Sequence, residues 1–113
     1  MKGLITAVLI ISIFCFGKCK KEPMLADCIQ QKIDSIKVQP RWNPPAQVDE
    51  YIYNRKRVYL FSSDCCDQYN TLYDEACNYI CAPSGGFTGR GDGRCTDFKT
   101  AAQFVRTVWK DPR

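Results

Sequence analysis

The cysteines are the residues of this chain with the widest chemical range. The sequence contains eight of them, and the six that follow residue 24 are Cys28, Cys65, Cys66, Cys77, Cys81 and Cys95. Cysteine thiols can cross-link a fold, bind a metal or exchange electrons, depending on the compartment and the neighbouring residues. An even set of six predicts three disulfides, but the sequence does not select one pairing among the alternatives.

The absence of histidine narrows the possible chemistry. With no histidine in the chain, it lacks the commonest general base and the commonest nitrogen ligand of zinc. Catalytic Ser-His-Asp and Cys-His arrangements are therefore excluded. No Cys-x-x-Cys redox motif occurs either, since three residues separate Cys77 from Cys81. We expect no cofactor, no metal site and no catalytic residue, and we favour a binding protein over an enzyme.

The adjacent pair Cys65-Cys66 is unusual. Neighbouring side chains of an extended chain point to opposite sides, and a ring closed between adjacent cysteines would strain the peptide that joins them. We therefore expect the two thiols to form disulfides with different partners. The alternative hypothesis is an enzyme, which would use thiol–disulfide exchange at this pair or carboxylate chemistry from Asp64, Asp67 and Asp92.

The segment from Pro83 to Arg94 is a second candidate site, and it contains five glycines. Glycine permits positive φ angles and lets the backbone approach a ligand closely. The functional interpretation is a binding loop closed at its base by Cys81 and Cys95. The alternative is an irregular loop that uses glycine only to turn. The residues of the possible binding loop are Gly86, Phe87, Arg90, Asp92 and Arg94.

The first nineteen residues predict where the protein is located. A basic start, Met1-Lys2, precedes an apolar run from Leu4 to Phe16, and this order is typical of a secretory signal. The run is too short to span a bilayer of about 30 Å as a helix. Cys19 follows it, as in a bacterial lipoprotein signal, although Lys18 is atypical before a lipid-bearing cysteine.

We therefore predict a lipoprotein signal peptide at residues 1–18, cleavage before Cys19, and a lipid such as palmitate on Cys19. Residues 19–24 would form a short tether, and residues 25–113 a single disulfide-rich domain. The predicted location is the cell envelope, with the lipid in the membrane on the periplasmic or outer-membrane side. Without the lipid, the protein would be secreted. Export to an oxidising compartment favours disulfides for the remaining six cysteines.

The pattern of apolar residues predicts the elements that position these sites. Spacings of three and four predict one amphipathic helix from Leu25 to Ile36 and another from Phe98 to Trp109. Between them, β-branched and aromatic residues predict a hairpin of Val48–Tyr53 and Arg57–Phe61, followed by one or two strands within Thr71–Ala82. The expected fold is α+β, with an antiparallel sheet of three or four strands, a helix at each end and disulfide-stapled loops.

Several motifs lie in the stretch from residue 25 to residue 111. They are Val58-Tyr59-Leu60-Phe61, Asp64-Cys65-Cys66-Asp67, Gly85-Gly86-Phe87-Thr88-Gly89 and Gly91-Asp92-Gly93-Arg94-Cys95. With its Cys-Cys-Asp and Gly-Gly-Phe-x-Gly motifs, this stretch resembles a domain of unknown function found in small bacterial envelope lipoproteins. The resemblance implies a location in the envelope and brings no known activity, substrate or cofactor.

The leading functional hypothesis is a non-catalytic envelope lipoprotein that binds a protein or a glycan through the 83–94 loop and nearby tyrosines. Export, disulfides and the lack of histidine favour it. A protease inhibitor that presents the same loop as a rigid segment is a further alternative. The formal net charge is +4 and the basic residues are scattered, so nucleic acid is not an expected partner. The expected partners are the membrane, through the lipid, and an envelope protein or glycan.

Overall fold

The computed structural model describes residues 25–113, and the predicted signal peptide, Cys19 and the predicted tether lie outside them. The described chain is mainly an antiparallel sheet of five strands in the order β4-β3-β2-β1-β5. Its elements are α1 (Asp27–Lys37), β1 (Gln47–Tyr53), β2 (Lys56–Phe61), β3 (Tyr69–Asp74), β4 (Tyr79–Gly85), α2 (Phe98–Ala101) and β5 (Gln103–Lys110). Among these residues, no helix is long and apolar enough to cross a membrane.

Helix α1 packs against one face of the sheet through a stripe of isoleucines. Ile29, Ile33 and Ile36 are buried, because spacings of four and three place them on the same side of the helix. They share a core cluster with residues of β1 and β2, including Val48, Tyr59 and Phe61. A disulfide from Cys28 to Cys77 also ties α1 to the turn after β3. The predicted N-terminal helix is confirmed.

Arg113, the last residue described, caps the C-terminal end of α1. The Arg113 guanidinium donates to the backbone carbonyls of Gln39, at 2.8 Å, and Ile36, at 3.4 Å. The Asp111 carboxylate holds that guanidinium through a contact of 2.7 Å from Nη2 to Oδ2. The final carbonyls of a helix lack partners within the helix, and a cation is favourable beside them. Arg113 therefore caps α1 at Ile36, from 77 residues away in the sequence.

The central strands follow the predicted hairpins. β1 pairs with β2 from Val48↔Phe61 to Tyr53↔Lys56, which leaves a turn of two residues. Asn54 has a φ of 51° and Arg55 a φ of 63°, the positive angles that two-residue hairpin turns need. β3 and β4 form a second antiparallel pair. The predicted hairpin and the strands within Thr71–Ala82 are therefore confirmed.

The predicted C-terminal helix is wrong, and with it the predicted α+β arrangement of two helices around three or four strands. The helix formed there, α2, has only four residues. After Ala102, the eight residues Gln103–Lys110 form β5 along the outer side of β1. β5 is rich in β-branched and aromatic side chains, which fit a pleated surface. The sheet therefore has five strands.

Register shifts explain why β5 resembled a helix in the sequence. The β1–β5 pairing shifts between Val48 and Asp49 and again between Glu50 and Tyr51. Such irregularities interrupt the two-residue alternation of a strand. Adjacent Val108 and Trp109 consequently both pack against the core cluster beneath α1. The resulting apolar spacing of three and four is the spacing expected of an amphipathic helix.

Glu50, in the middle of β1, is a buried carboxylate that bridges three strands. Its side chain is 1% exposed. Glu50 Oε2 lies 3.7 Å from Arg57 Nε on β2, and Glu50 Oε1 lies 3.6 Å from Arg106 Nε on β5. Because Arg106 pairs directly with Glu50 in the sheet, this second contact exists only when the C-terminal segment is a strand.

Replacing the buried carboxylate should destabilise the sheet. In Glu50→Gln, two arginines lose their shared anion. A broken buried pair costs about 3–5 kcal/mol, and water that reaches the partly exposed arginines reduces the expected loss to about 1–3 kcal/mol. Urea unfolding measures it. Glu75→Gln is the matched control: Glu75 also faces Arg57, at 3.8 Å, but is 56% exposed, so the loss should stay below about 0.5 kcal/mol. Equal losses in both variants would contradict this role of Glu50.

Candidate functional site

A groove of about 410 Å³ lies between α1, the proline-rich segment after it and the loop between β2 and β3. Four of its lining residues are aromatic: Trp42, Phe61, Tyr69 and Tyr73. Six carry hydroxyl or amide groups: Ser35, Gln39, Ser62, Ser63, Gln68 and Thr71. Ile36 and two residues of opposite charge, Lys32 and Asp64, complete the lining. We call this feature the aromatic groove.

The aromatic rings of the groove are held by their neighbours. Phe61 is 5% exposed and meets Tyr73 edge-on, with the ring centroids 5.5 Å apart. Lys32 Nζ lies 4.0 Å from the centroid of the Tyr73 ring, within the range of a cation–π contact. Trp42 Nε1 donates to Gln39 Oε1 at 3.0 Å, which fixes the indole beside the end of α1. Phe61, Tyr73 and Trp42 are therefore each held by a neighbouring side chain.

The wall opposite α1 is the loop from Ser62 to Gln68, which we call the cysteine loop. Ser62 Oγ accepts from the Gln47 backbone N–H at 2.8 Å, and the Ser63 N–H donates to Asn70 Oδ1 at 2.9 Å. At the other end, the Gly86 N–H donates to the carbonyl of Gln68 at 3.0 Å. Both ends of the loop are therefore fixed to the sheet.

The six cysteines form three disulfides: Cys28–Cys77, Cys65–Cys66 and Cys81–Cys95. The prediction of disulfides is confirmed, but the expectation that Cys65 and Cys66 have different partners is wrong, since they bind each other. That expectation assumed an extended chain. The pair instead lies in a turn, where Cys66 has a φ of 55° and the Gln68 N–H donates to the Cys65 carbonyl. Both cysteines of the pair are exposed.

The glycine-rich loop is closed at its base by Cys81–Cys95, as the functional interpretation expected. Gly91 has a φ of 76°, and a Cβ atom there would collide with the Ala82 carbonyl, so this close approach requires glycine. Gly86 packs against the ring of Tyr69 in the same way. Through that contact, the loop adjoins the aromatic groove.

The residues predicted for the binding loop have separate roles, and none of the five lines the aromatic groove. Phe87 is 91% exposed at the tip, and Arg90 is exposed as well. The Arg94 guanidinium lies 5.8 Å from the centroid of the Tyr79 ring. The Asp92 carboxylate accepts from the Tyr79 hydroxyl and from the backbone N–H groups of Ala82 and Arg94. Asp92 therefore stabilises the loop instead of being available for carboxylate chemistry.

The hydrogen bond between Tyr79 and Asp92 shifts the pKa values of both side chains. It raises the pKa of Tyr79 to about 12 from its usual 10.0. The same bond, together with the two backbone N–H donors, lowers the pKa of Asp92 below its usual 3.8. The contribution of Asp92 to stability is thus present above pH 3.8 and is lost as the pH falls through its folded pKa. That of Tyr79 is present below pH 10 and is lost as the pH rises towards 12.

The acidic residues and cysteines do not gather into a metal site. Within residues 25–113, no group of three or more His, Cys, Asp or Glu side chains lies close enough to hold a metal ion. Asp97, which neighbours the glycine-rich loop in sequence, accepts from the Tyr53 hydroxyl. Like Asp92, it thus contacts a tyrosine of the sheet.

Comparison with known proteins identifies the family. One family model matches residues 34–111. The chain belongs to this family, Domain of unknown function (DUF6970). The match begins in the second half of α1 and includes all five strands, the cysteine loop and the glycine-rich loop. Searches of the curated proteins and of the solved structures each found no match. The prediction that the chain belongs to an uncharacterised family is confirmed. Its lipoprotein character stays a prediction.

Removing the Asp92 carboxylate should return Tyr79 towards an ordinary titration. In Asp92→Asn, the anion that disfavours the phenolate is gone, so the pKa of Tyr79 should fall from about 12 towards 10.0. NMR of ring-labelled tyrosine between pH 9 and 13 measures the shift. Asp97→Asn is the matched control, because Asp97 raises the pKa of Tyr53 through its hydrogen bond and should leave Tyr79 unchanged. A Tyr79 titration that is the same in wild type and Asp92→Asn would refute the assignment.

Proposed function

We propose that the protein is a non-catalytic glycan-binding protein of the cell envelope. The aromatic groove would hold an uncharged glycan rich in N-acetylated sugars. One observation carries the proposal: a single groove combines four aromatic rings with six residues that bear hydroxyl or amide groups. This pairing of apolar faces with directed polar groups is typical of sites that bind small polar molecules.

The aromatic rings supply contact area for a sugar ring. One face of a hexose presents C–H groups, whereas its edge carries hydroxyls. Trp42 is partly exposed and Tyr69 is 48% exposed, and they lie in different segments bordering the groove. Aromatic side chains bury a large area and lose little conformational entropy when they bind. The hydrogen bond from Trp42 to Gln39 reduces that loss further, because the indole is already oriented.

The polar residues favour an uncharged ligand with amide groups. Hydroxyl and side-chain amide groups can each donate and accept, which suits both sugar hydroxyls and an acetamido group. The two charges of the groove, Lys32 and Asp64, are opposite in sign. Because these two charges balance, the groove has no net charge to pair with a charged ligand. Burying a charge without a partner is costly.

The carboxylate content of the groove supports binding without cleavage. Glycoside hydrolysis generally needs a pair of Asp or Glu side chains on either side of the bond that is broken. Among the groove-lining residues, all within the described part of the chain, Asp64 is the one carboxylate.

The predicted leader and the disulfides support the proposed envelope location. A basic start, an apolar run and Cys19 favour export and lipid attachment, and an oxidising compartment maintains disulfides such as Cys81–Cys95. A tether of residues 19–24 would keep the domain near the membrane surface, where cell-wall glycans are within reach.

Glycan binding should depend on Trp42. Calorimetric titration with the β-1,4-linked N-acetylglucosamine tetramer should give saturable binding to the wild type. Trp42→Ala should weaken this binding at least about tenfold, which corresponds to about 1.4 kcal/mol. Phe87→Ala is the control, since Phe87 is an exposed aromatic residue outside the groove and should bind as the wild type does.

Two results would overturn the proposal. One is a folded wild-type protein that shows no binding at millimolar tetramer. The other is lost binding in Phe87→Ala with normal binding in Trp42→Ala, which would move the site to the tip of the glycine-rich loop.

The intact mass of protein isolated from bacterial membranes tests the envelope part of the proposal. The expected mass lacks residues 1–18, includes acyl chains on Cys19 and is six hydrogens lower than that of the reduced chain, because three disulfides are present. A full-length, unacylated chain with six reduced thiols among residues 25–113 would contradict it.

A further inference from the structure

The Cys65–Cys66 disulfide differs from the other two in its accessibility. Both of its cysteines are exposed on the cysteine loop. By contrast, Cys81 and Cys95 are 1% and 6% exposed, and Cys28 and Cys77 are half-buried. Exposed disulfides are the ones that external thiols reach, and they tend to be labile or regulatory, whereas buried ones are structural.

We propose that Cys65–Cys66 is a redox site that exchanges with external dithiols, and that its oxidation state controls the shape of the aromatic groove. The accessibility of Cys65 and Cys66 supports the proposed exchange. The control of ligand binding rests on the proposed function, because it concerns the same groove.

The exchange is a two-electron reduction by a dithiol. A thiolate of the reductant attacks the sulfur of one cysteine, which forms a mixed disulfide and breaks the Cys65–Cys66 bond. The second thiol of the reductant then attacks the mixed disulfide, closes the oxidised reductant and releases the protein sulfur. Two electrons and two protons pass from the dithiol to the cysteines, and reoxidation reverses the sequence.

The loop transmits this change to the groove because groove-lining residues flank the pair. Asp64 precedes Cys65 in sequence, and Gln68 follows two residues after Cys66; both line the groove. The Gln68 N–H donates to the Cys65 carbonyl at 3.2 Å, so the turn that contains the disulfide also sets the position of Gln68.

The backbone of the pair favours a rearrangement on reduction. Cys66 has a φ of 55°, in the left-handed region that residues other than glycine seldom adopt. In the oxidised loop, the disulfide bond to Cys65 restricts the backbone conformations that Cys66 can adopt. Once the bond is broken, Cys66 can relax and the Gln68 N–H can leave the Cys65 carbonyl, while the Ser63 N–H stays bonded to Asn70 and the Gln68 carbonyl to Gly86. The movement therefore falls on the groove wall between the two anchors.

The first experiment tests the redox site without any glycan. The native wild-type chain is equilibrated with increasing dithiothreitol and trapped with N-ethylmaleimide, and tandem mass spectrometry locates the labels. Cys65 and Cys66 should be labelled together, at a concentration at least about tenfold below that needed for the other four described cysteines. Labelling before any reductant is added, or simultaneous labelling of all six, would overturn the redox site.

The second experiment tests the coupling with two readouts. Under the selective reduction, amide hydrogen exchange within residues 64–68 should accelerate, while that of Ala82 and Asp92 near the Cys81–Cys95 disulfide should not. Binding of the N-acetylglucosamine tetramer should weaken at least threefold. A Cys65→Ser/Cys66→Ser double variant is the control. Its exchange rates and tetramer affinity should match those of the reduced protein and should not change when dithiothreitol is added.

The outcomes separate this inference from the proposed function. Selective reduction with faster exchange, but no tetramer binding in either state, would refute the glycan proposal and support the redox-controlled loop. Tetramer binding and exchange rates that are both unchanged by selective reduction would refute the coupling while leaving glycan binding in place.

Discussion

The packing of the α1 isoleucine stripe against the sheet is the contact on which the rest of the structure depends. Ile29, Ile33 and Ile36 are at most 5% exposed, and each buried side chain of this kind contributes about 1.5–3 kcal/mol. The same packing determines which side of α1 faces the groove. Lys32 and Ser35 therefore line the groove because the isoleucines hold α1 in that orientation, and Gln39 continues the lining after the helix. Phe61 belongs both to the core and to the groove lining.

Two loops border this arrangement, and internal contacts restrain both of them. In the glycine-rich loop, Asp92 accepts hydrogen bonds from backbone N–H groups and from the Tyr79 hydroxyl. In the sequence this carboxylate suggests a catalytic role, but in the structure it stabilises the loop. In the cysteine loop, side-chain and backbone hydrogen bonds hold the ends near Ser63 and Gln68. A site whose walls are fixed before binding avoids part of the entropy cost of ordering them around a ligand. Walls fixed in this way suit the binding role proposed above.

The sequence predicts those parts of the fold whose side chains follow the ordinary periods. The isoleucine spacing of α1 and the strand–turn–strand pattern around Asn54 are local signals, and both lead to the correct element. β5 is different, because its register shifts let adjacent Val108 and Trp109 both pack against the core, which conceals the strand period. Whether Gln103–Lys110 is a helix or a strand is decided by β1, which offers it a hydrogen-bonding edge and a buried carboxylate for Arg106. That information is tertiary, and periodicity within one segment does not contain it.

The candidate site is less accessible to sequence reasoning than the fold. The glycine-rich loop and the cysteine pair stand out by composition, but the aromatic groove draws single residues from distant segments. Trp42 follows a helix, Phe61 ends a strand and Tyr69 begins another, so no motif joins them. Similarly, the Cys65–Cys66 bond depends on a turn at Cys66 that the residue types on either side do not specify.

The contact between Arg113 and the end of α1 affects when the domain can be completed during synthesis. The ribosome makes α1 early, but the guanidinium that caps its last carbonyls is added 74 residues after Gln39. β5, which supplies one of the two arginines beside Glu50, also emerges near the end. Such long-range contacts delay folding until most of the chain is present. The packing of α1 and of the sheet edge at β1 is therefore complete only once residues 103–113 have left the ribosome.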